Sequence, residues 1–187
     1  MPTRRSSADV WNLDTGDGEL LLRTGVAGRA ARMGHRLTIA MTRWEAAVSW
    51  DGAKPISAEL TVETRSFAVL RGEGGIKGLS EPEKGLVTSN AMKTLDAGRY
   101  PRISFRSHDI TATGTGYRLA GTLGIKGQSR DHVIDVRTED LGDSWRMSAE
   151  SVVRQSEFGV KPYSLLMGSL QVADDVTISF TAVHPKG

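Results

Sequence analysis

Over most of its length the sequence alternates apolar and polar residues with a period of two, which places successive side chains on opposite faces of an extended strand. Tyr117, Leu119, Gly121, Leu123 and Ile125 fall on one face, and Arg118, Ala120, Thr122, Gly124 and Lys126 on the other. The same pattern holds for Ile56, Ala58, Leu60 and Val62, for Trp145, Met147, Ala149 and Val153, and for Val176, Ile178, Phe180 and Ala182. Ile103 and Phe105 begin another run after Pro101, and residues 36–50 form a long one whose phase slips at Arg43 and Trp44, which reads as a bulge. Two short strands, 10–13 and 19–24, flank the turn-forming Asp14-Thr15-Gly16-Asp17-Gly18 cluster. Thr113-Gly114-Thr115-Gly116 and Leu141-Gly142-Asp143-Ser144 join neighbouring runs at hairpin distance, so the chain reads as about eight antiparallel strands.

Two segments depart from this period. Residues 83–96 read as one α-helix between strands: Ser80 and Glu83 have capping-box spacing, Val87, Ala91 and Leu95 share a face with Met92, and Gly98 marks the stop. Residues 26–34, small and basic, read as a short helix or loop carrying Arg29 and Arg32, and 161–170 as a loop or turn of helix. At 187 residues, with 39% hydrophobic and 25% charged residues, the chain fits a single domain over 1–187, with 1–9 flexible. A one-sided antiparallel sheet must bury its apolar face, and closure into a barrel is the preferred solution because it also removes exposed edges. The barrel then either fills its interior with side chains or leaves room for one ligand.

The chain has no cysteine, which excludes disulfides, thiolate metal sites and cysteine nucleophiles. A net charge of +2 argues against nucleic acid as the main partner, and Arg106, Arg118, Lys126, Arg130 and Arg137 are interspersed with carboxylates as on an ordinary solvated surface. The opening Met1-Pro2-Thr3-Arg4-Arg5-Ser6-Ser7-Ala8 has no apolar run behind its arginines, so a cytoplasmic location is expected. His35, His108, His132 and His184 lie far apart among polar residues and read as surface or loop positions, and Asp131 and His132 would point to opposite faces of a strand. Gly127-Gln128-Ser129-Arg130-Asp131 and Gly78-Leu79-Ser80-Glu81-Pro82 lack the closing glycine of a serine elbow. Gly72-Glu73-Gly74-Gly75-Ile76-Lys77-Gly78 lacks both dinucleotide and Walker spacing and reads as a flexible connection. No catalytic or metal-ligating set emerges; an esterase or isomerase built on His108 or His132 is the weakest of the alternatives.

At Tyr100-Pro101-Arg102-Ile103-Ser104-Phe105-Arg106-Ser107 the sequence resembles the YceI-like family, in which a tyrosine-proline pair leads into an Ile-x-Phe-x-Ser strand. Gly121-Thr122-Leu123-Gly124-Ile125-Lys126-Gly127, then Arg154-Gln155-Ser156-Glu157-Phe158-Gly159, then Asp174-Asp175-Val176-Thr177-Ile178 are similar to that family's later motifs, in the same order. The family's early His-x-x-x-Gly-x-Phe stretch and its Arg-Asp pair before the helix are replaced here, the latter by Arg71-Gly72-Glu73-Gly74-Gly75. The resemblance implies an all-β, lipocalin-like antiparallel barrel that holds an isoprenoid chain, such as a quinone or polyprenyl lipid, with no catalytic residues and no cofactor.

On this reading the ligand is lined by Ile39, Met41, Leu60, Val62, Met92, Leu95, Ile103, Phe105, Leu119, Leu123, Met147, Phe158, Ile178 and Phe180. Burial of methylene groups alone, at about 0.8 kcal/mol each, can hold such a molecule without any polar motif. Arg29 or Arg32 would meet an anionic head near the mouth, and transient membrane contact and a homodimer are compatible with the sequence. The alternative is a filled barrel that serves as a structural or protein-interaction module without ligand.

Overall fold

A computed structural model describes residues 9–187, apart from the side chain of Leu166. Of the opening residues 1–9, expected to be flexible, 1–8 lie outside the described residues and Asp9 begins the first strand, paired with Trp50. The strands are β1 (Asp9–Asp14), β2 (Gly18–Ala27), β3 (His35–Met41), β4 (Trp44–Asp51), β5 (Lys54–Glu63), β6 (Phe67–Gly74), β7 (Arg102–Ala112), β8 (Gly116–Ile125), β9 (Gln128–Asp140), β10 (Ser144–Arg154), β11 (Ser164–Leu165) and β12 (Leu170–Pro185). One helix, α1 (Glu81–Thr94), interrupts them between β6 and β7. All described strands join one antiparallel sheet in the order β1-β4-β5-β7-β8-β9-β10-β12-β2-β3-β6, with the two-residue β11 added on β12.

The strand count corrects the expected eight, for identifiable reasons. The slip at Arg43 and Trp44 is a break, not a bulge: β3 ends at Met41 and β4 starts at Trp44, and the two join distant parts of the sheet. The glycine-rich 72–78 stretch is only partly a connection, because β6 runs through Gly74 and pairs with the start of β3 from His35 onward. Residues 26–34 hold the end of β2 and a single 3-10 turn, Ala31–Met33, and 161–170 hold β11 and a further 3-10 turn, Leu166–Gly168.

The order of the strands forces curvature. β1 and β2 are consecutive in sequence yet lie far apart along the sheet, as do β3 and β4, so their short connections draw the two ends together. The Val183 N–H donates to Asp17 O at 2.9 Å, Glu63 N–H to Arg43 O at 3.0 Å and Thr42 N–H to Ser66 O at 2.9 Å. Side chains complete the approach: the Trp11 ring of β1 stacks on His184 of β12 at 4.3 Å, and Trp44 of β4 meets Phe180 of β12 edge-on at 5.2 Å. The terminal strands of the path, β1 and β6, do not pair with each other, so the sheet is a curled half-barrel rather than a ring closed by hydrogen bonds.

The motifs quoted above take on structural roles. Buried Thr64, in the turn between β5 and β6, donates its hydroxyl to Tyr100 O and its N–H to Pro101 O, both at 2.9 Å, which pins the start of β7. The Tyr100 ring lies against Gly127, where any Cβ would come within 2.6 Å of it. Lys126 and Gly127 both have positive φ, 49° and 73°, the conformation of a tight two-residue hairpin turn. Asp174 accepts hydrogen bonds from Ser156 N–H and Oγ, and Asp175 pairs with Arg154, so the third and fourth motifs hold each other.

Helix α1 begins two residues before the expected start. Its Ser80 cap is complete: Glu83 N–H donates to Ser80 Oγ at 3.4 Å, and Ser80 N–H donates to the Glu83 carboxylate at 2.7 Å. These bonds hold the Glu83 carboxyl below its ordinary pKa. The stop comes at Asp96, not Gly98: Asp96 has φ 49°, its N–H donates to Lys93 O, and Ala97 N–H donates to Met92 O, as in a Schellman motif. Replacing Ser80 by alanine is expected to cost about 1 kcal/mol in a urea titration. An unchanged midpoint would contradict this cap.

Candidate functional site: two interior cavities

Inward side chains of β2, β3, β5, β6, β7, β8, β9, β10 and β12 line a cavity of 290 Å³. The strand period selects them: Leu20, Leu22 and Thr24 from β2, Leu37, Ile39 and Met41 from β3, Leu60 and Val62 from β5, Ile103 and Phe105 from β7, Leu123 and Ile125 from β8. α1 forms part of the wall through Val87, Asn90, Ala91 and Thr94, with Leu95 at its C-cap, which recur at helical spacing along one face. No lysine, arginine, aspartate or glutamate lines this space.

A polar patch interrupts the apolar wall where β9 and β10 part. The two strands pair from Trp145↔Asp140 to Ala149↔Val136 and no further, and the Gln155–Phe158 turn with Val160 contributes to the wall beyond that point. His132 Nε2 and Ser151 Oγ share a hydrogen bond of 2.5 Å, both facing the cavity. Burial lowers the His132 pKa, against an opposing pull from Glu157, so the neutral imidazole is favoured. No carboxylate bonds the His132 ring among the described residues, so the pair lacks the orienting third group of an activated nucleophile. Gln155 donates to Ala173 O at 3.0 Å, and Thr24 Oγ1 accepts from Leu37 N–H at 3.1 Å.

A second cavity of 460 Å³ lies at the opposite end of the curled sheet and shares no lining residue with the first. Its character is aromatic: Trp11, Trp50, Tyr117 and Trp145 line it, with Trp11 and Trp50 at 4.6 Å and Trp50 edge-on to Tyr117 at 6.3 Å. Lys186 sits over the Trp145 ring at 4.4 Å. The Trp44–Phe180 contact lies between the two spaces and lines neither.

Ten of the residues expected to line a ligand share the first cavity: Ile39, Met41, Leu60, Val62, Leu95, Ile103, Phe105, Leu123, Phe158 and Ile178. Four do not. Leu119 and Met147 line the second cavity, Phe180 packs on Trp44, and Met92 lies off the face of α1 that meets the cavity. Sequence reasoning left out the polar patch, because His132 was read as a surface position; only its phase with Ile134 and Val136 on β9 signals that it faces inward. His184 and His35 are likewise half-buried, His184 stacked on Trp11 and His35 bonded to Lys77 O at 2.6 Å, whereas His108 is exposed as expected. Arg29 and Arg32 are exposed and outside the cavity lining.

Among solved structures, the chain resembles Burkholderia cenocepacia BcnA at 23% identity and a TM-score of 0.70, over 92% of this chain and 99% of that one. It also resembles the Campylobacter jejuni YceI protein at 16% identity and a TM-score of 0.57, over 80% of this chain and 84% of that one. These likenesses carry the fold. No curated protein matches the chain. The family model described as the YceI-like domain matches residues 11–184, nearly the whole of the curled sheet, and the chain therefore belongs to the YceI-like family.

Proposed function

We propose that this chain binds an isoprenoid or similar long apolar molecule in the 290 Å³ cavity and acts as a carrier or store without catalysing a reaction. The observation that carries this reading is the lining itself, an apolar wall drawn from nine strands and a helix, free of charge and left partly unfilled. Its volume lies near the lower end of the roughly 300–1,000 Å³ usual for ligand sites. An open interior of this kind favours a ligand over the filled-barrel alternative.

The chemistry of the wall narrows the head group. An anionic phosphate buried here would meet no cation and would lose its hydration uncompensated. A neutral carbonyl, as in a quinone, finds donors in the Ser151–His132 pair, Asn90 and Thr94. Delipidated protein titrated with an isoprenoid quinone and with a polyprenyl diphosphate of equal chain length is expected to bind the quinone at least about tenfold more tightly. Ala91→Phe, which adds a ring on the cavity face of α1, is expected to weaken quinone binding by about tenfold or more while costing only about 1–3 kcal/mol of stability. Equal binding of both ligands would overturn the neutral-head assignment, and undiminished binding by Ala91→Phe would overturn the cavity.

A further inference from the structure

Three loops meet at the end of the sheet that carries the first cavity. Residues 28–34 join 168–170 through the Ala30 N–H to Ser169 O bond of 2.7 Å, and 75–77 join the start of β3 through His35 Nε2 and Lys77 O at 2.6 Å. Tyr163 and Val172, on either side of the 168–170 segment, line the cavity, so these loops form its rim.

The rim presents large apolar side chains to solvent. Ile76 is 85% exposed, Met33 52% and Leu165 49%, and Met167 is fully exposed on a left-handed backbone with φ 54°. Scattered singly, such residues would mean little; four on adjoining loops around the mouth of an apolar cavity form a patch. The charged side chains on these loops are all cationic. Arg29, Arg32, Lys77 and Lys161 are exposed and, among the described residues, make no ion pair, and residues 28–36, 75–80 and 159–170 contain no carboxylate. The flanking carboxylates have other partners: Glu73 with Arg71, Glu81 with Lys84, Asp175 with Arg154 and Asp174 with Ser156, while Glu157 adds to the field at Arg154; Glu83, bonded to the Ser80 cap, is near enough to feel the charge of Lys77 but forms no ion pair with it.

We propose that this rim docks on an anionic lipid bilayer, with Met33, Ile76, Leu165 and Met167 entering the interface and the four cations meeting lipid phosphates. The pairing of apolar tips with unpaired cations is what an interfacial surface requires, whereas a nucleic-acid backbone would use the charges and leave the apolar tips in water. The inference rests on the carrier reading only for its purpose, since docking would set the cavity mouth against the source of an apolar ligand.

The test is co-sedimentation of the full chain, with its ligand content measured in parallel, on vesicles of phosphatidylcholine alone and of phosphatidylcholine with about a quarter phosphatidylglycerol. Binding to the anionic vesicles, weakened by salt, is expected. Arg29→Gln with Lys161→Gln should weaken it roughly thirtyfold, at about 1 kcal/mol per cation near the surface. Ile76→Ser with Met167→Ser should weaken it about tenfold. Arg137→Gln with Arg146→Gln, at the opposite end of the sheet, should leave it unchanged. No binding to anionic vesicles, equal loss in the opposite-end variant, or tighter binding of a DNA duplex that depends on the same cations would overturn the docking surface. A chain that retains a lipid yet ignores vesicles overturns docking and leaves the carrier reading standing; one that docks but carries nothing does the reverse.

Discussion

Phe105→Asp is expected to abolish retention of an apolar ligand and to lower stability by about 4 kcal/mol or more. Phe105 is only 4% exposed and belongs both to the cavity wall and to the core cluster of Leu123, Val153, Phe158 and Val160. Aspartate there removes the ring and introduces a carboxylate into a space whose lining holds no cation. If the variant does not fold, Phe105→Leu separates the effects, since it keeps an apolar wall at a smaller loss of stability. Urea denaturation and native mass spectrometry read the two quantities, and a Phe105→Asp protein of unchanged midpoint that still carries the same mass would contradict the placement of this side chain.

The second large effect is expected at Gly121. A Cβ built there lies 2.3 Å from Arg106 O and 2.8 Å from Phe105 Cζ, so alanine cannot enter without moving the backbone of β7. The site is already committed: β7 bulges between Ser107 and Asp109, and buried Ser107 donates its hydroxyl to Ala120 O at 2.7 Å, which fixes the register of β7 on β8. Phe105 covers the open glycine with its ring, an arrangement that supports strand glycines elsewhere. Gly121→Ala is expected to cost about 3 kcal/mol in chemical denaturation, at the upper end of ordinary overpacking. A loss below about 0.5 kcal/mol, typical of a surface change, would show that the strands adjust freely.

The period of two made the inward face legible, but not the depth along it. Leu119 and Leu123 share a face of β8, yet four residues of strand separate them by about 13 Å, enough to put one in each cavity. Ile178 and Phe180 differ in the same way, because Trp44 reaches across the curled sheet to meet Phe180. The missed strand β6 is glycine-rich at its end, and its pairing with β3 depends on a distant partner that local patterning does not reveal. The β3–β4 break was hidden because Thr42 and Arg43 carry no turn signature; the separation comes from the curl of the whole sheet. The helix, in contrast, was announced by a local device, Ser80 with Glu83.

The polar patch shows the opposite difficulty. Ser151 and His132 come from strands that stop pairing just below them, so their contact follows from the parting of β9 and β10 and not from any spacing in the sequence. A histidine at one inward position resembles a surface residue until its neighbours on the face are counted.

The central claim, that the charge-free cavity holds an apolar chain, is tested most directly by native mass spectrometry of the purified protein before and after extraction with organic solvent. An added mass that the solvent removes, recovered in the extract as a lipid and absent from the Ala91→Phe protein, is the predicted result. A mass equal to that of the bare chain at every stage, together with no uptake of an offered isoprenoid quinone, would contradict it.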